Sequence, residues 1–220
     1  MKSRTKLSKL SKVQLKNERF KRLQHKYFSY TKKTITIKGD LQMSINYAQA
    51  SDISDFQKIL LKSNGTVTAL LEAYFSEPIK VVKISEKLDK IEFDLPNLKL
   101  NKEEQVLARK ILLQGKNSRR NFIYADSLIL INNLEKRFTN ELLNTDKPIG
   151  KIWSEQKIET FIEILNSGEE SANILSNYFC IKPEENLLSR TYSVLSKGKI
   201  TMIITEKFPH KYFLPKYLLV

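Results

Sequence analysis

The stretch "RTYSVLSKGKITMIITEKF" (190–208) constrains the fold more than any other part of the chain. Two runs rich in β-branched and aromatic residues flank Lys197-Gly198, a dipeptide suited to a tight hairpin turn. Strand side chains alternate between faces, so Ile200, Met202, Ile204, Glu206 and Phe208 fall on one side, and Thr201, Ile203, Thr205 and Lys207 on the other. A carboxylate therefore stands in the middle of an apolar row.

A second hairpin precedes it. "QVLARKILLQG" (105–115) and "NFIYADSLIL" (121–130) are strand candidates joined by the polar "KNSRR". In the first of these, Leu107, Arg109, Ile111 and Leu113 share the more apolar face, which again includes a charge. "IKVVKISEKL" (79–88) has strand character. Helices are expected in "SDISDFQKILLKS" (51–63), capped by Ser54 or Asp55, in "TVTALLEAYF" (66–75), and in "NNLEKRFTNELLN" (132–144). "KPIGKIW" (147–153) reads as punctuation, and "SEQKIETFIEIL" (154–165) as a further helix opening on Ser154. Hairpins mixed with helices predict an α+β domain: a single antiparallel β-sheet with helices packed on one face.

The net charge of +14 points to a polyanion partner until it is mapped. Residues 1–33 hold twelve Lys and Arg against one acid, Glu18, a net +11; the remainder holds 26 basic and 23 acidic residues, a net +3. The division expected is a basic N-terminal extension (1–40), flexible or partly helical, followed by an ordinary domain (41–220). Such a leader gives salt-sensitive, unspecific attraction to phosphate or anionic lipid, and no specific nucleic-acid recognition is expected. No apolar run approaches the roughly 18 residues of a membrane span. The single cysteine, Cys180, excludes an internal disulfide, and His25 and His210 lie near opposite ends, so no metal centre is expected.

Burying an unpaired charge costs several kcal/mol, so Arg109 and Glu206 each need a partner. They pair with each other, or reach solvent at strand ends, or line a pocket where the guanidinium fork takes a ligand carboxylate. "SNGTVT" fits a pocket: Asn64-Gly65 reads as a tight turn, and the helix start after Thr66 presents free backbone N–H groups.

Taken in order, "LLKSNGTVTALLEAYF", "LARKILLQG", "YADSLI", "KPIGKIW" and "SRTYSVLSKGKITMIITEKFP" resemble the chorismate pyruvate-lyase superfamily over most of residues 55–209. The resemblance is closest to the branch that includes hypothetical red-algal plastid proteins. A Lys-, Asn- and Ile-heavy composition fits a plastid genome, so the plastid stroma is the expected compartment, with the cytoplasm as the alternative. The resemblance implies an antiparallel sheet with an enclosed cavity, and removal of pyruvate from chorismate to leave 4-hydroxybenzoate without metal or cofactor. It assigns the ring carboxylate to Arg109 and the ring hydroxyl, with help in proton transfer, to Glu206. It further implies that Val67 and Ile149 contact ligand through the backbone, with Gly150 beside the latter. Arg190 matches a basic position suited to the second carboxylate, and Ser127 and Thr68 are candidate hydroxyl donors.

The chain departs from many relatives in carrying Asn64-Gly65 where they have Asp-Gly. The basic loop "GKNSRRN" (115–121) is a lid, a surface contact or neither. The alternative function is a non-catalytic binding module for small aromatic acids, with the leader contacting nucleic acid or a membrane surface.

Overall fold

The Lys197-Gly198 hairpin forms as its residues dictate. Both central residues have positive φ, 51° and 73°, the twist that joins two antiparallel strands through a two-residue turn. The computed structural model describes residues 53–91 and 100–214. Expectations for the basic leader (1–40) lie outside the described residues.

In chain order the elements are α1 (Asp55–Lys62), α2 (Val67–Phe75), β1 (Ile79–Lys90), β2 (Gln105–Gly115), β3 (Asn121–Ile129), α3 (Lys136–Asn144), α4 (Ile149–Gln156), β4 (Phe161–Ser171), α5 (Ser176–Phe179), β5 (Asn186–Ser196) and β6 (Lys199–Pro209). The six strands form one sheet in the order β1-β2-β3-β6-β5-β4, and every pairing is antiparallel. One large apolar core joins Leu60 of α1, Leu71 of α2, Phe138 of α3 and Ile152 of α4 to Leu107, Ile111, Ile129, Met202 and Ile204 of the sheet. A smaller cluster, containing Val106, Leu130 and Ile203, belongs to the opposite face. The α+β architecture expected from the sequence is the one observed.

Ser54 caps α1 through a reciprocal pair. Its hydroxyl accepts from the Gln57 N–H, and its own N–H donates to Gln57 Oε1. The Ser54 hydroxyl also donates to the Phe213 carbonyl, fastening α1 to the chain end after β6.

Three local expectations change. The helix expected over 154–165 is absent: α4 already runs from Ile149 to Gln156, so "KPIGKIW" contains a helix start and Ser154 lies in its last turn. Pro148 supplies the fixed φ that precedes it. Residues 161–171 form β4, where Ile162 opposite Val194 and Ile164 opposite Tyr192 satisfy a period of two rather than 3.6. Second, Gly65 does not have positive φ; the bend at "SNGT" is closed by Ser63 Oγ, which accepts the Gly65 N–H. Third, Ile200 leaves the Met202–Phe208 face. A bulge makes Thr201 the extra residue between the pairs Val194–Met202 and Leu195–Ile200, so Ile200 packs on the smaller cluster.

The basic loop 115–121 is the β2–β3 turn, held from below by Glu77. Its carboxylate accepts from the backbone N–H groups of Asn117 and Ser118 and from the Ser118 hydroxyl.

Candidate functional site

A cavity of about 50 Å³ lies over the middle of the sheet, on the helical side. Val67 and Thr68 at the start of α2, Ile149 and Gly150 at the start of α4, and Ser127 and Glu206 from the sheet all line it. The structure thus gathers six of the eight residues singled out from sequence around one space. Trp153 and Tyr192 join them. A larger depression of about 240 Å³, bounded by Glu135, Phe138 and Lys197, holds none of the eight.

Two helices begin at this cavity, and neither start is capped by a side chain. Their first-turn N–H groups carry the positive end of the helix dipole and suit an anionic ligand. The two starts come very close: a Cβ built on Gly150 would stand 2.7 Å from both Cβ and Cγ2 of Thr66.

Arg109 and Arg190 do not line the cavity, but each lies one strand from a residue that does. Arg109 pairs in register with Ser127 on β3 and with Glu86 on β1. Its side chain is 1% exposed, and Nε lies 3.1 Å from Glu86 Oε2. Nη1 and Nη2 have no hydrogen-bond partner. Burial pulls the Arg109 pKa below the ordinary arginine value, with Glu86 and then Asp146 acting in the opposite direction.

Arg190 faces Glu206 directly across β5 and β6. Its Nε donates to Glu206 Oε2 at 2.8 Å, and Nη1 donates to the Ser63 carbonyl at 2.9 Å, while Nη2 is buried without a partner. The Tyr192 hydroxyl donates to Glu206 Oε1 at 3.0 Å, and the Arg190 guanidinium lies 5.0 Å from the centre of the Tyr192 ring. Burial is the largest influence on Arg190 and opposes its charge, but Glu206, followed by Tyr192, outweighs it and raises the pKa. Burial, then Glu206, drives the Tyr192 phenol well above its ordinary value, so Tyr192 is a neutral donor.

The pairing of Arg109 with Glu206, one of the three arrangements left open by the sequence, does not form. Glu206 stands opposite Ala125 on β3, whereas Arg109 stands opposite Ser127, so the two differ by two strands and one same-face row. Ideal sheet spacings put their Cα atoms roughly 12 Å apart, room for a ring between them. Each charge is instead met by the residue next to it in register: Glu86 for Arg109 and Arg190 for Glu206.

This arrangement coincides with a family. The model described as chorismate pyruvate-lyase Rv2949c-like matches residues 61–216. The chain belongs to that family. A Mycobacterium leprae protein named chorismate pyruvate-lyase is 31% identical over 164 residues, covering 71% of this chain and 75% of the relative. A protein of the same name from Mycobacterium tuberculosis strain H37Rv is 29% identical over 168 residues, 71% of this chain and 80% of that one. Among solved structures, the effector domain of PhnF from Mycobacterium smegmatis superposes with a TM-score of 0.54 at 8% identity, covering 67% of this chain and 90% of that domain. That likeness shows the fold alone.

Two residues that meet the candidate site's charges were not singled out from the sequence. Strict alternation from Ile79 puts Glu86 on the outer face with Lys80 and Val82. A bulge at Ile84 switches the phase, so Glu86 meets Arg109. Tyr192 had a visible signal, sharing a face with Arg190, but no feature of the sequence marks its hydroxyl as Glu206's partner.

Proposed function

We propose that this protein eliminates pyruvate from chorismate and leaves 4-hydroxybenzoate. The observation that carries the proposal is Arg109: a buried guanidinium with two unpartnered nitrogens, on the cavity face of the sheet that also presents Glu206. A planar fork with free donors in a buried site is matched by a carboxylate, which takes two parallel hydrogen bonds.

In this reading Arg109 holds the ring carboxylate, and the free amides of Val67, Thr68, Ile149 and Gly150 close over the ligand. Glu206 takes the ring hydroxyl. Each of its oxygens already accepts one bond and retains a second lone pair for the substrate. Ser127 and the Thr68 hydroxyl are further donors on the walls. Arg190 has its unpaired Nη2 left for the carboxylate of the enolpyruvyl arm.

The elimination breaks the C–H bond at the hydroxyl-bearing carbon, and its electron pair completes the aromatic ring. The neighbouring C–O bond breaks, and the departing enolpyruvate takes a proton at its methylene carbon to become pyruvate. Atoms balance with no co-reactant. Aromatisation supplies driving force, so orientation by Arg109 and proton handling at Glu206 are the protein's main contributions. Among the described residues no helix is long and apolar enough to cross a membrane. The plastid compartment proposed for this activity rests on composition.

The test is incubation of purified protein with chorismate, following pyruvate and 4-hydroxybenzoate together. Equimolar formation of both, lost or greatly slowed in Arg109→Ala and Glu206→Gln, supports the proposal. Binding of 4-hydroxybenzoate through Arg109 without turnover would favour the non-catalytic module, for which the fold shared with an effector domain is the supporting observation.

A further inference from the structure

Glu86 reaches the site by a device separate from the rest of the sheet. β1 pairs regularly with β2 up to Lys83–Ile111 and again from Ser85–Lys110, and the extra residue, Ile84, turns Glu86 onto the cavity face opposite Arg109. The contact that results is close but poorly aligned. Nε and Oε2 are 3.1 Å apart, yet neither atom makes a hydrogen bond. Glu86 therefore compensates the charge of Arg109 without occupying Nη1 or Nη2. Its side chain is 21% exposed, against 1% for Arg109, so Glu86 faces the rim and Arg109 the interior. Asp146 adds a second negative field at the same guanidinium, and Lys83 Nζ lies 3.6 Å from Asp146.

A carboxylate arriving at Nη1 and Nη2 thus becomes a further anion around one buried cation. We infer that Glu86 is a built-in counter-ion. It holds Arg109 ready in the empty site and repels the bound carboxylate, so that it lowers affinity and hastens release of the aromatic acid. This rests on the reading of Arg109 as the carboxylate site. Glu86 is a positioning residue acting through Arg109, and its signature is the sign of its effect. Removing its charge while keeping its shape tightens binding, whereas loss of an ordinary structural ion pair loosens it.

Calorimetric titration with 4-hydroxybenzoate, and with its neutral analogue 4-hydroxybenzamide, separates the two. Glu86→Gln is expected to lower Kd for the acid about tenfold, as removal of one charge near a buried ion allows, and to lower KM for chorismate in parallel. Affinity for the amide stays within twofold. Glu86→Asp, which withdraws the charge by one methylene, falls between and serves should Glu86→Gln fail to fold. Arg109-dependent binding that is unchanged or weaker in both variants overturns the inference alone. If neither wild type nor variants bind the acid at Arg109, the carboxylate-site reading falls and takes this inference with it. Loss of turnover with binding intact overturns only the lyase.

Discussion

Replacing Gly150 with alanine tests whether the two helix starts are held at a working distance. The added Cβ would lie 2.7 Å from Cβ and Cγ2 of Thr66, where ordinary contact begins at 3.4 Å. Thr66 Cβ is fixed to the backbone and cannot rotate away, so the starts of α2 and α4 must separate by at least about 0.7 Å, the shortfall in those distances. Overpacking of this kind costs about 1–3 kcal/mol, and a domain of this size loses roughly 2–4 °C of Tm per kcal/mol. The same movement carries the free amides away from the ligand. Since misplacement by an ångström costs about a hundredfold, kcat/KM for chorismate should fall about 10- to 100-fold. Thr66 makes no side-chain cap, so adding Thr66→Gly removes both clashing atoms and leaves that helix end bonded as before. The double variant should regain most of the lost activity. The reasoning is refuted if Gly150→Ala stays within twofold of wild type in activity and unchanged in Tm, or if the double variant is no better than the single.

The Arg190–Glu206 pair gives a sharp asymmetry in stability. Arg190→Met strands a buried carboxylate and is expected to cost about 3–5 kcal/mol in denaturant melts, whereas Arg190→Met with Glu206→Leu recovers most of that loss while abolishing turnover. Glu77 gives a pH dependence. Burial, its largest influence, raises its pKa, but the Ser118 and Asn117 hydrogen bonds and Arg120 outweigh it and hold it below the ordinary glutamate value. A depressed folded-state pKa contributes stability above the unfolded value, and that stability is lost as pH falls through the folded one. Glu77→Gln should therefore cost roughly 1–2 kcal/mol at pH 7, with the gap to wild type closing below about pH 4 in urea melts at a pH series.

What could be read from the chain, and what could not, divides along the bulges. Alternation placed Arg109 and Glu206 on apolar faces, and both are buried there. Turn chemistry located the Lys197-Gly198 hairpin, and the family motifs supplied Val67 and Ile149 at two helix starts that do line the cavity. Partners were not legible, because partnering depends on register. Counted strictly from the Lys197-Gly198 turn, Arg190 falls opposite Thr205, and only the extra residue Thr201 brings it opposite Glu206. Ile84 does the same for Glu86 and Arg109. A single inserted residue moves every later side chain to the other face, and neither the polar "KISE" (83–86) nor a threonine within a β-branched run announces one. The helix misread over 154–165 has a related cause. Ile158, Phe161, Ile162 and Leu165 suit a helical stripe in sequence, and the strand prevails through its ladder with β5, a long-range contact invisible to local propensity.

The position of a bound aromatic acid decides whether Arg109 and Glu206 act as proposed. A crystal structure with 4-hydroxybenzoate tests it most directly. The account predicts the carboxylate within hydrogen-bond distance of Arg109 Nη1 and Nη2, the hydroxyl on Glu206, and the ring between the starts of α2 and α4. A ligand found elsewhere, or bound with its carboxylate away from Arg109, would contradict it.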